Sequence, residues 1–461
     1  MRLRPMTMAL SLFLVVLATT LVIAQEPEKK RDQPADPAAV FQATFQRMSA
    51  AKAAKMSDAR AYLEKRYDLS KRSSTVTMFR GKPVQQGVRV KLPAGVSWQQ
   101  LAQMSPEVIR SRNLWPEGFL PLPAPDHMEG GMIFPQFQID EVKRQTDRDL
   151  NRFDIEMDLP DPFLPEFPPP IFLTTRSDLG DVSGGKLITI DNYYLIFGNI
   201  LNPKQLDGLR LLVTPFPQQQ FNATEDRRSV RPSMGVTCFD CHANGHTNGA
   251  HHLVGDIRPQ EFRHRIETPT LRGVNMQRLF GSQRALRTIE DFTEFEQRAA
   301  YFDGDIALAA KKGVNTLNRP DQVHHMAEFQ ELLDFPPAPK LGVDGLLDPA
   351  KATAAEMRGQ ALFFGQALCS SCHSGPIFSD NFMHNLQTER FYTPRTIRDH
   401  TMVGDGPIKT FPLRGIKESP PYMHDGRLLT LDDTIEFFNL VLGTKLSEDE
   451  KKDLLAFLYT L

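Results

Sequence analysis

Two short segments of the chain combine cysteine and histidine at one spacing, C-x-x-C-H. Their members are Cys238, Cys241 and His242 in the first segment and Cys369, Cys372 and His373 in the second. Two thiols at this spacing, followed directly by a histidine, are the attachment pattern of a c-type haem. The thiols add to the two vinyl groups of the porphyrin, and the histidine binds the iron as its proximal axial ligand. The pattern therefore predicts two covalently bound haem c groups.

The two motifs use all four cysteines of the chain, and two simpler interpretations of them are open. Each motif could hold a disulfide, or the four thiols could share one zinc ion. Neither interpretation needs a histidine after the second cysteine, whereas the chain supplies one in both motifs. Haem attachment is favoured for that reason.

The first 24 residues have the features of a secretory signal peptide. Arg2 and Arg4 precede an apolar run from Met8 to Ile23, and Val22-Ile23-Ala24 resembles a cleavage site. The run is short for a bilayer span of about 20 residues, and no later stretch is long enough. We therefore expect an exported, periplasmic protein without a membrane span. The formal net charge of −2 gives no electrostatic reason to expect a nucleic-acid partner.

An internal repeat follows the two C-x-x-C-H motifs. Leu271-Arg272-Gly273 recurs 142 residues later as Leu413-Arg414-Gly415, and Thr288-Ile289-Glu290-Asp291 recurs at the same offset as Thr430-Leu431-Asp432-Asp433. A repeat of this length indicates two copies of one domain. We expect a mainly α fold with two tandem cytochrome c domains, each binding one covalent haem. The predicted domains span residues 186–335 and 345–461.

Residues 25–185 form a predicted N-terminal extension, which is loop-rich, of mixed α/β character and of unknown role. Its proline run at residues 160–170 cannot be helical, because proline lacks the amide donor and clashes with the preceding turn. Helices are predicted over residues 37–67, 96–112 and 352–368, a small β-hairpin over residues 76–92, and a C-terminal helix behind a capping box of Ser447 and Glu450.

Three stretches of the second half carry a family resemblance. They are Arg358-Gly359-Gln360-Ala361-Leu362-Phe363-Phe364-Gly365, the C-S-S-C-H-S-G-P segment from Cys369, and Pro421-Tyr422-Met423-His424-Asp425-Gly426-Arg427. They resemble the bacterial di-haem cytochrome c peroxidase/MauG superfamily, over about residues 205–461. The resemblance implies one haem that relays an electron and one with an open face, where hydrogen peroxide is reduced. It also implies a small redox protein, a cytochrome c or a cupredoxin, as electron donor, and relatives carry a calcium ion between their units.

The resemblance also assigns roles to individual residues. His242 and His373 match the proximal ligands. His424, Arg414 and Arg427 match positions near the haem–haem interface and the propionates, and are the predicted catalytic residues. Salt bridges within loops are the structural alternative for the two arginines.

Three features depart from the family pattern. Gly281 stands where peroxidases carry a tryptophan between the haems. The distal Gln and Glu of the peroxide site have no counterpart, since Phe292 lies near the first position and only Asp303 or Asp305 lies near the second. Phe438 takes the place of the Met or Tyr that ligates the second haem. Because a peroxidase needs an acid–base group above the iron, we expect slow peroxide turnover.

Other side chains are candidates for the distal ligands. Met402 and Met423 are candidates at the second haem, although core packing explains a methionine equally well. The candidates at the first haem are His246, His251, His252 and His264. His324-His325 is predicted to lie in the linker between the domains, exposed to solvent.

The sequence supports two main functions. The first is a periplasmic di-haem oxidoreductase of the cytochrome c peroxidase/MauG type, which reduces hydrogen peroxide or oxidises another substrate with electrons relayed between two haems. The second is a non-catalytic electron-transfer cytochrome, which the missing tryptophan and distal acid favour. An oxygenase with a five-coordinate haem is a third interpretation. The spin state of the haems separates an open iron from a six-coordinate carrier.

Overall fold

The structure is a computed structural model. It describes residues 37–122, 131–150, 157–215, 237–253, 265–302, 320–397, 400–401 and 405–461. The predicted signal peptide, residues 1–24, lies outside the described residues. Helices dominate the described part of the chain, and its strands are two or three residues long. Within that part, every helix is too short or too polar to cross a bilayer.

The N-terminal region begins with a long helix that is followed by shorter ones. They are α1 (Pro37–Arg66), α2 (Trp98–Gln103), α3 (Pro106–Ser111) and α4 (Gln136–Thr146). Helix α2 begins at a capping box of Ser97 and Gln100, and α3 begins with Pro106 behind the N-cap Ser105. Because a proline can start a helix but not continue one, the single helix predicted over residues 96–112 is two short helices.

The rest of the chain places helices around each C-x-x-C-H motif. The first set is α5 (Tyr193–Phe197), α6 (Pro203–Leu212), α7 (Cys238–Cys241), α8 (Ile289–Phe302) and α9 (Pro320–Gln330). The second set is α10 (Ala354–Phe364), α11 (Leu431–Leu442) and α12 (Glu448–Leu458). Helix α12 has the predicted capping box of Ser447 and Glu450. Helix α10 is shorter than predicted, because it ends at Gly365.

In each half, two helices cross at a glycine. A Cβ atom at Gly208 of α6 would lie 1.9 Å from the carbonyl oxygen of His325 in α9. A Cβ atom at Gly359 of α10 would also lie 1.9 Å from a carbonyl oxygen, that of Asp453 in α12. Only glycine permits backbones to approach so closely. The crossing of outer helices is therefore a shared feature of the two halves.

The loops after the Leu-Arg-Gly segments keep the 142-residue offset. Gly273 and Gly415 are both in the left-handed region, with φ of +70° and +73°. A β-bridge joins Phe280 to Leu286, and a second joins Tyr422 to Leu428. The sequence repeat is therefore also a repeat of backbone conformation.

The strands of the described residues form small antiparallel sheets. Strands β1 (Gly131–Ile133), β2 (His251–Leu253) and β3 (Ile266–Glu267) pair in that order, with His251 opposite both Ile133 and Glu267. Strand β4 (Met383–Asn385) pairs with β7 (Pro407–Lys409), and β5 (Thr396–Ile397) pairs with β6 (His400–Thr401). Strand β1 thus ties the N-terminal region to the loop after the first C-x-x-C-H motif.

The largest apolar core joins the N-terminal region to the second half. Trp115 stacks on Phe391 with ring centroids 4.5 Å apart, and Phe119 meets Phe437 of α11 edge-on at 5.3 Å. Aromatic pairs of this geometry contribute beyond their buried area. The N-terminal region is therefore packed onto the second half.

Two other predictions were wrong in detail. The hairpin predicted over residues 76–92 is shorter than expected: its two arms share one antiparallel bridge, between Thr77 and Pro83, flanked by the bonds from the Met78 N–H to the Lys82 carbonyl and from the Val84 N–H to the Val76 carbonyl. Proline lacks the amide that would extend the ladder. His324 and His325 lie in helix α9 and not in a linker, and their rings contact the carboxylates of Glu290 and Asp207.

Replacing Gly359 by alanine is expected to lower the free energy of unfolding by about 1–3 kcal/mol, the usual cost of overpacking. The added methyl group would meet the Asp453 carbonyl oxygen at 1.9 Å, so α10 and α12 would have to separate. Thermal unfolding measures the loss. Lys452→Ala in α12 is the control, because it removes an ion pair with Asp449 whose side chains are 73% and 91% exposed, and such pairs contribute little. Equal losses in both variants would contradict the prediction.

Candidate haem sites

The histidines of the two C-x-x-C-H motifs are held by the same kind of bond. Nδ1 of His242 lies 2.8 Å from the carbonyl oxygen of Pro269, and Nδ1 of His373 lies 2.8 Å from that of Phe378. Because a carbonyl oxygen only accepts, Nδ1 carries the proton in each ring and Nε2 keeps the lone pair. Metal-binding histidines usually donate their second N–H in this way. Both rings therefore fit the proximal ligand of a haem.

Desolvation favours the neutral form of both imidazoles. Desolvation lowers the pKa of His242 to about 4, although the bond to Pro269 opposes the change. Desolvation likewise lowers the pKa of His373. Neutral imidazole is the form that binds a metal, so the protonation state agrees with the hydrogen bonds.

The cysteines of both motifs are in the described part of the chain. None of the four is in a disulfide, which contradicts the disulfide interpretation. The described residues contain no group of three or more His, Cys, Asp or Glu side chains that could hold a metal ion, so the four thiols do not form a shared zinc site. Thioether bonds to haem would use Cys238 and Cys241 at one site and Cys369 and Cys372 at the other.

An ion pair from the N-terminal region holds the first motif. The guanidinium of Arg148 binds both carboxylate oxygens of Asp240, at 2.5 and 2.7 Å. Asp240 lies between the two cysteines and also accepts from the backbone N–H of Thr237 at 2.7 Å, as part of the cap of α7. The Asn248 amide donates to the Asp240 carbonyl oxygen at 2.7 Å. The conformation of the cysteine-bearing turn therefore depends on a residue far away in sequence.

A fully buried arginine holds the P-Y-M-H-D-G-R loop. Arg427 binds Asp405 through two nitrogens at 2.7 and 2.6 Å, and Asp425 at 3.0 Å. Burial, the largest single effect, would raise the pKa of Asp405, but the charges of Arg427 and His424 and the Arg427 hydrogen bonds together hold that pKa below its usual value. The N-terminal region adds two bonds, from the Tyr67 hydroxyl to the Arg427 carbonyl at 2.7 Å and from the Leu122 N–H to Asp425 at 2.8 Å.

The two halves meet through equivalent backbone bonds. The N–H of Glu267 donates to the carbonyl oxygen of His424 at 2.8 Å, and the N–H of Lys409 donates to that of Ser282 at 2.8 Å. Glu267 and Lys409 are 142 residues apart, and so are Ser282 and His424. Each half therefore offers a strand end to the loop of the other, which is the reciprocal pattern of a two-fold interface.

Gly281 lies in one of these interface loops. Its φ is +79°, and no heavy atom of the described residues beyond its chain neighbours lies within 4 Å of the position that a Cβ would take. The equivalent residue in the second half is Met423, which has a φ of +71°. The position where peroxidases carry a tryptophan thus lies at the contact between the halves, and the space beside Gly281 is not filled by the described residues.

The structure separates the candidate distal ligands. Met402 and His264 lie outside the described residues. The backbone of His252 pairs with Met132 in the β1–β2 ladder, and its side chain also lies outside the described residues. The ring nitrogens of His246 are engaged, by the Thr270 hydroxyl at 2.7 Å and the Glu418 carbonyl at 3.1 Å. His246 is therefore not available as a ligand in this structure.

His251 differs from these histidines. Its side chain is completely buried, and neither ring nitrogen has a hydrogen-bond partner among the described residues. Its Nε2 lies 2.8 Å from the position that a Cβ would take on Gly426 of the second half. A buried donor or acceptor without a partner costs about 1–3 kcal/mol, which points to a group that binds this ring.

The predicted catalytic residues fall into two places. His424 and Arg427 share Asp405, which lies 3.8 Å from Nε2 of His424. Arg414 binds elsewhere, to the carbonyl oxygens of Leu461 at 3.2 Å and Pro336 at 3.1 Å. These contacts match the salt-bridge alternative for Arg427, and the catalytic role stays a prediction.

The remaining predicted positions are less informative. Met423 and Phe438 are partly buried against the same apolar core. Phe292 packs against Phe295 with ring centroids 6.4 Å apart. Asp303 and Asp305 lie outside the described residues.

Sequence reasoning missed Arg148, Asp405 and Lys409. The first two gave no signal, because they belong to no motif themselves and their partners are 92 and 22 residues away in sequence. Lys409 could have been found from the repeat, since it is the counterpart of Glu267.

Comparison with known proteins gives the following matches. No protein-family model matches the chain. The cytochrome-c peroxidase IdrP1 of Denitromonas iodatirespirans is 33% identical over 157 residues, which cover 25% of this chain and 42% of that protein. Cytochrome-c peroxidase IdrP2 of the same organism is 26% identical over 286 residues, covering 50% and 76%. The methylamine utilization protein MauG of Methylorubrum extorquens is 31% identical over 154 residues, covering 30% and 42%.

The chain therefore spans less than half of the length of IdrP1 and of MauG. The three relatives are two cytochrome-c peroxidases and MauG, the kinds of protein that the C-x-x-C-H and P-Y-M-H-D-G-R motifs resemble. By sequence, the chain is similar to cytochrome-c peroxidases and to MauG.

Proposed function

We propose that the protein is a periplasmic di-haem c-type cytochrome that acts as an oxidoreductase of the cytochrome c peroxidase/MauG type. Its two tandem cytochrome c domains each hold one covalent haem, through Cys238, Cys241 and His242 and through Cys369, Cys372 and His373. The observation that carries the proposal is the matched pair of Nδ1–carbonyl bonds, which leaves one Nε2 lone pair in each motif. The sequence relationship and the predicted signal peptide support it.

Haem, when bound, supplies one-electron redox chemistry and an iron atom that can take up peroxide. The chain itself orients ligands and charges. Backbone carbonyls orient His242 and His373, Arg148 anchors the first motif through Asp240, and Arg427 anchors the loop that meets the other half. A small redox protein, a cytochrome c or a cupredoxin, is the proposed electron donor. Calcium between the units stays a prediction from the family.

A non-catalytic electron-transfer cytochrome is the second candidate, and His251 favours it. A buried imidazole with two unpartnered nitrogens can serve as a sixth ligand, and a bis-histidine iron has no open face for peroxide. The departures at Gly281 and at the distal acid point in the same direction.

We expect two haems per chain by pyridine haemochrome analysis, and a high-spin signal from one of them. Absorption and EPR spectra, recorded as isolated and after half-reduction, measure the spin states. A high-spin signal in either state, together with peroxide-dependent oxidation of a reduced donor cytochrome, would support the enzyme. Two low-spin haems in both states would contradict it and leave an electron carrier.

Replacing His251 by leucine is expected to convert a low-spin haem signal to a high-spin one, because the iron loses its sixth ligand. His246→Leu is the matched control, since both nitrogens of that ring already have partners, and its spin states should stay unchanged. EPR of the oxidised proteins measures both variants. Unchanged low-spin signals in a folded His251→Leu protein would remove this residue from the ligand set.

A further inference from the structure

A lysine is buried where the two halves meet. Lys409, at the end of β7, is 3% exposed. Its ammonium donates to the side-chain carbonyl of Gln277 at 3.0 Å. It also lies 5.5 Å from the ring centroids of both Phe280 and Phe411. No carboxylate of the described residues pairs with it, so the positive charge of this side chain is not neutralised by the described chain.

Keeping a cation at such a place is costly. A buried ammonium normally has a carboxylate partner, and one amide with two aromatic faces compensates only in part. Burial and the nearby Arg284 charge lower the pKa of Lys409 to about 8, so the side chain is mostly protonated at pH 7. The interface therefore holds a localised positive charge.

Comparison of equivalent positions in the repeat shows that the second half has a lysine where the first half has a glutamate. The equivalent position in the first half is Glu267, where burial raises the pKa well above its usual value and favours the neutral form. The two residues make the same backbone bond across the interface, yet only Lys409 adds a cation. The reciprocal interface is thus electrically asymmetric.

The chain connects Lys409 to one proximal histidine. His373 binds the carbonyl oxygen of Phe378 at 2.8 Å. The hydroxyl of the next residue, Ser379, donates to the carbonyl oxygen of Thr410, the neighbour of Lys409, at 2.6 Å. The charge therefore lies beside the segment that contacts His373. In the first half, the residue equivalent to Lys409 is Glu267, which lies two residues before Pro269, the residue that binds His242.

We propose that the ammonium of Lys409 raises the reduction potential of the haem held by His373. The inference rests on the proposed function, because it requires a haem at the second motif. Reduction adds one electron from the donor protein to that iron, which loses one unit of positive charge. A buried cation repels the ferric form more strongly than the ferrous form, and the effect is large where water does not screen it. Lys409 acts on the haem through its charge alone and needs no contact with substrate.

Potentiometric titration of the haem-loaded protein, followed by EPR, tests the proposal. Lys409→Met and Lys409→Gln remove the charge, and the glutamine keeps a polar group near Gln277 in case the methionine variant does not fold. Lys409→Arg keeps the charge. Glu267→Gln is the matched control at the equivalent position, and Lys452→Met removes a charge whose side chain is 73% exposed. A His373→Met variant identifies the signal of the second haem.

We expect both uncharged variants to lower the midpoint potential of the His373 haem and to leave that of the other haem unchanged. Lys409→Arg should shift it less, and the two controls should not shift it. Unchanged potentials in a folded Lys409→Gln protein, or equal shifts at both haems, would overturn the proposal. A content below two haems per chain would overturn the proposed function, and this inference with it.

Discussion

Replacing Arg427 by methionine is expected to lower the free energy of unfolding by about 3–5 kcal/mol at neutral pH, the usual cost of breaking a buried ion pair. Arg427 is fully buried and binds two carboxylates, of Asp405 and Asp425, at 2.6 to 3.0 Å. Methionine fills much of the same volume but leaves Asp405 buried without its cation. The loss is measured by urea unfolding of the wild type and the variant.

The pH dependence identifies the cause of that loss. In the wild type, Arg427 holds the folded pKa of Asp405 below its unfolded value, so the pair stabilises the fold above the unfolded pKa of about 3.9 and less as the pH falls through the folded pKa. In the variant, the isolated carboxyl favours its protonated form. The difference in stability between the two proteins should therefore shrink when the pH is lowered from 7 towards 4.

A surface arginine provides the control for Arg427. Arg60→Met removes an ion pair with Glu64 whose side chains are 64% and 52% exposed, and exposed pairs contribute little to stability. A loss in the Arg427 variant that is no larger than this control, or that does not change with pH, would show that the network does not stabilise the loop.

Much of the site could be predicted because its signals are local. The C-x-x-C-H spacing is a chemical requirement that is visible in five consecutive residues. The capping box of Ser447 and Glu450 forms within four residues, and the structure has it. The 142-residue repeat needed a comparison of the chain with itself, and it recurs in the paired bridges at Phe280 and Tyr422.

The rest depends on contacts between distant residues. Nothing near Arg148 in sequence indicates that its partner lies between the cysteines of a motif. The sequence of the N-terminal region contains no motif that indicates a function, yet Tyr67 and Leu122 bind the P-Y-M-H-D-G-R loop directly. Its structural role follows from these contacts with the second half. The break within residues 96–112 has a local cause, because Pro106 begins a second helix behind the N-cap Ser105.

The interface shows how a repeat can diverge while its geometry is kept. Glu267 and Lys409 make equivalent backbone bonds, as do Ser282 and His424, so backbone complementarity does not depend on their side chains. Evolution of the side chains can then differentiate the two sites without disturbing the contact. Gly281 and Met423 are also equivalent positions of the repeat, and there too the two halves carry different side chains.

Replacing Arg148 by methionine is expected to loosen the first C-x-x-C-H turn and to cost about 3–5 kcal/mol of local stability. The pair with Asp240 has two bonds at 2.5 and 2.7 Å, and the side chains are 10% and 4% exposed. Without Arg148, the Asp240 carboxylate remains buried and keeps the bond from the Thr237 N–H. Hydrogen–deuterium exchange of peptides covering residues 136–148 and 237–250 measures the local opening.

Arg144→Met is the control for Arg148, because Arg144 pairs with Glu141 within α4, the helix that ends just before Arg148, and its side chain is 68% exposed. We expect faster exchange in both segments for the Arg148 variant and wild-type exchange at residues 237–250 for the control. The second half, measured at residues 421–442, should not change in either protein, since its loop is held by Arg427. Exchange that rises equally in both halves would mean that Arg148 supports the whole fold and not the first motif in particular.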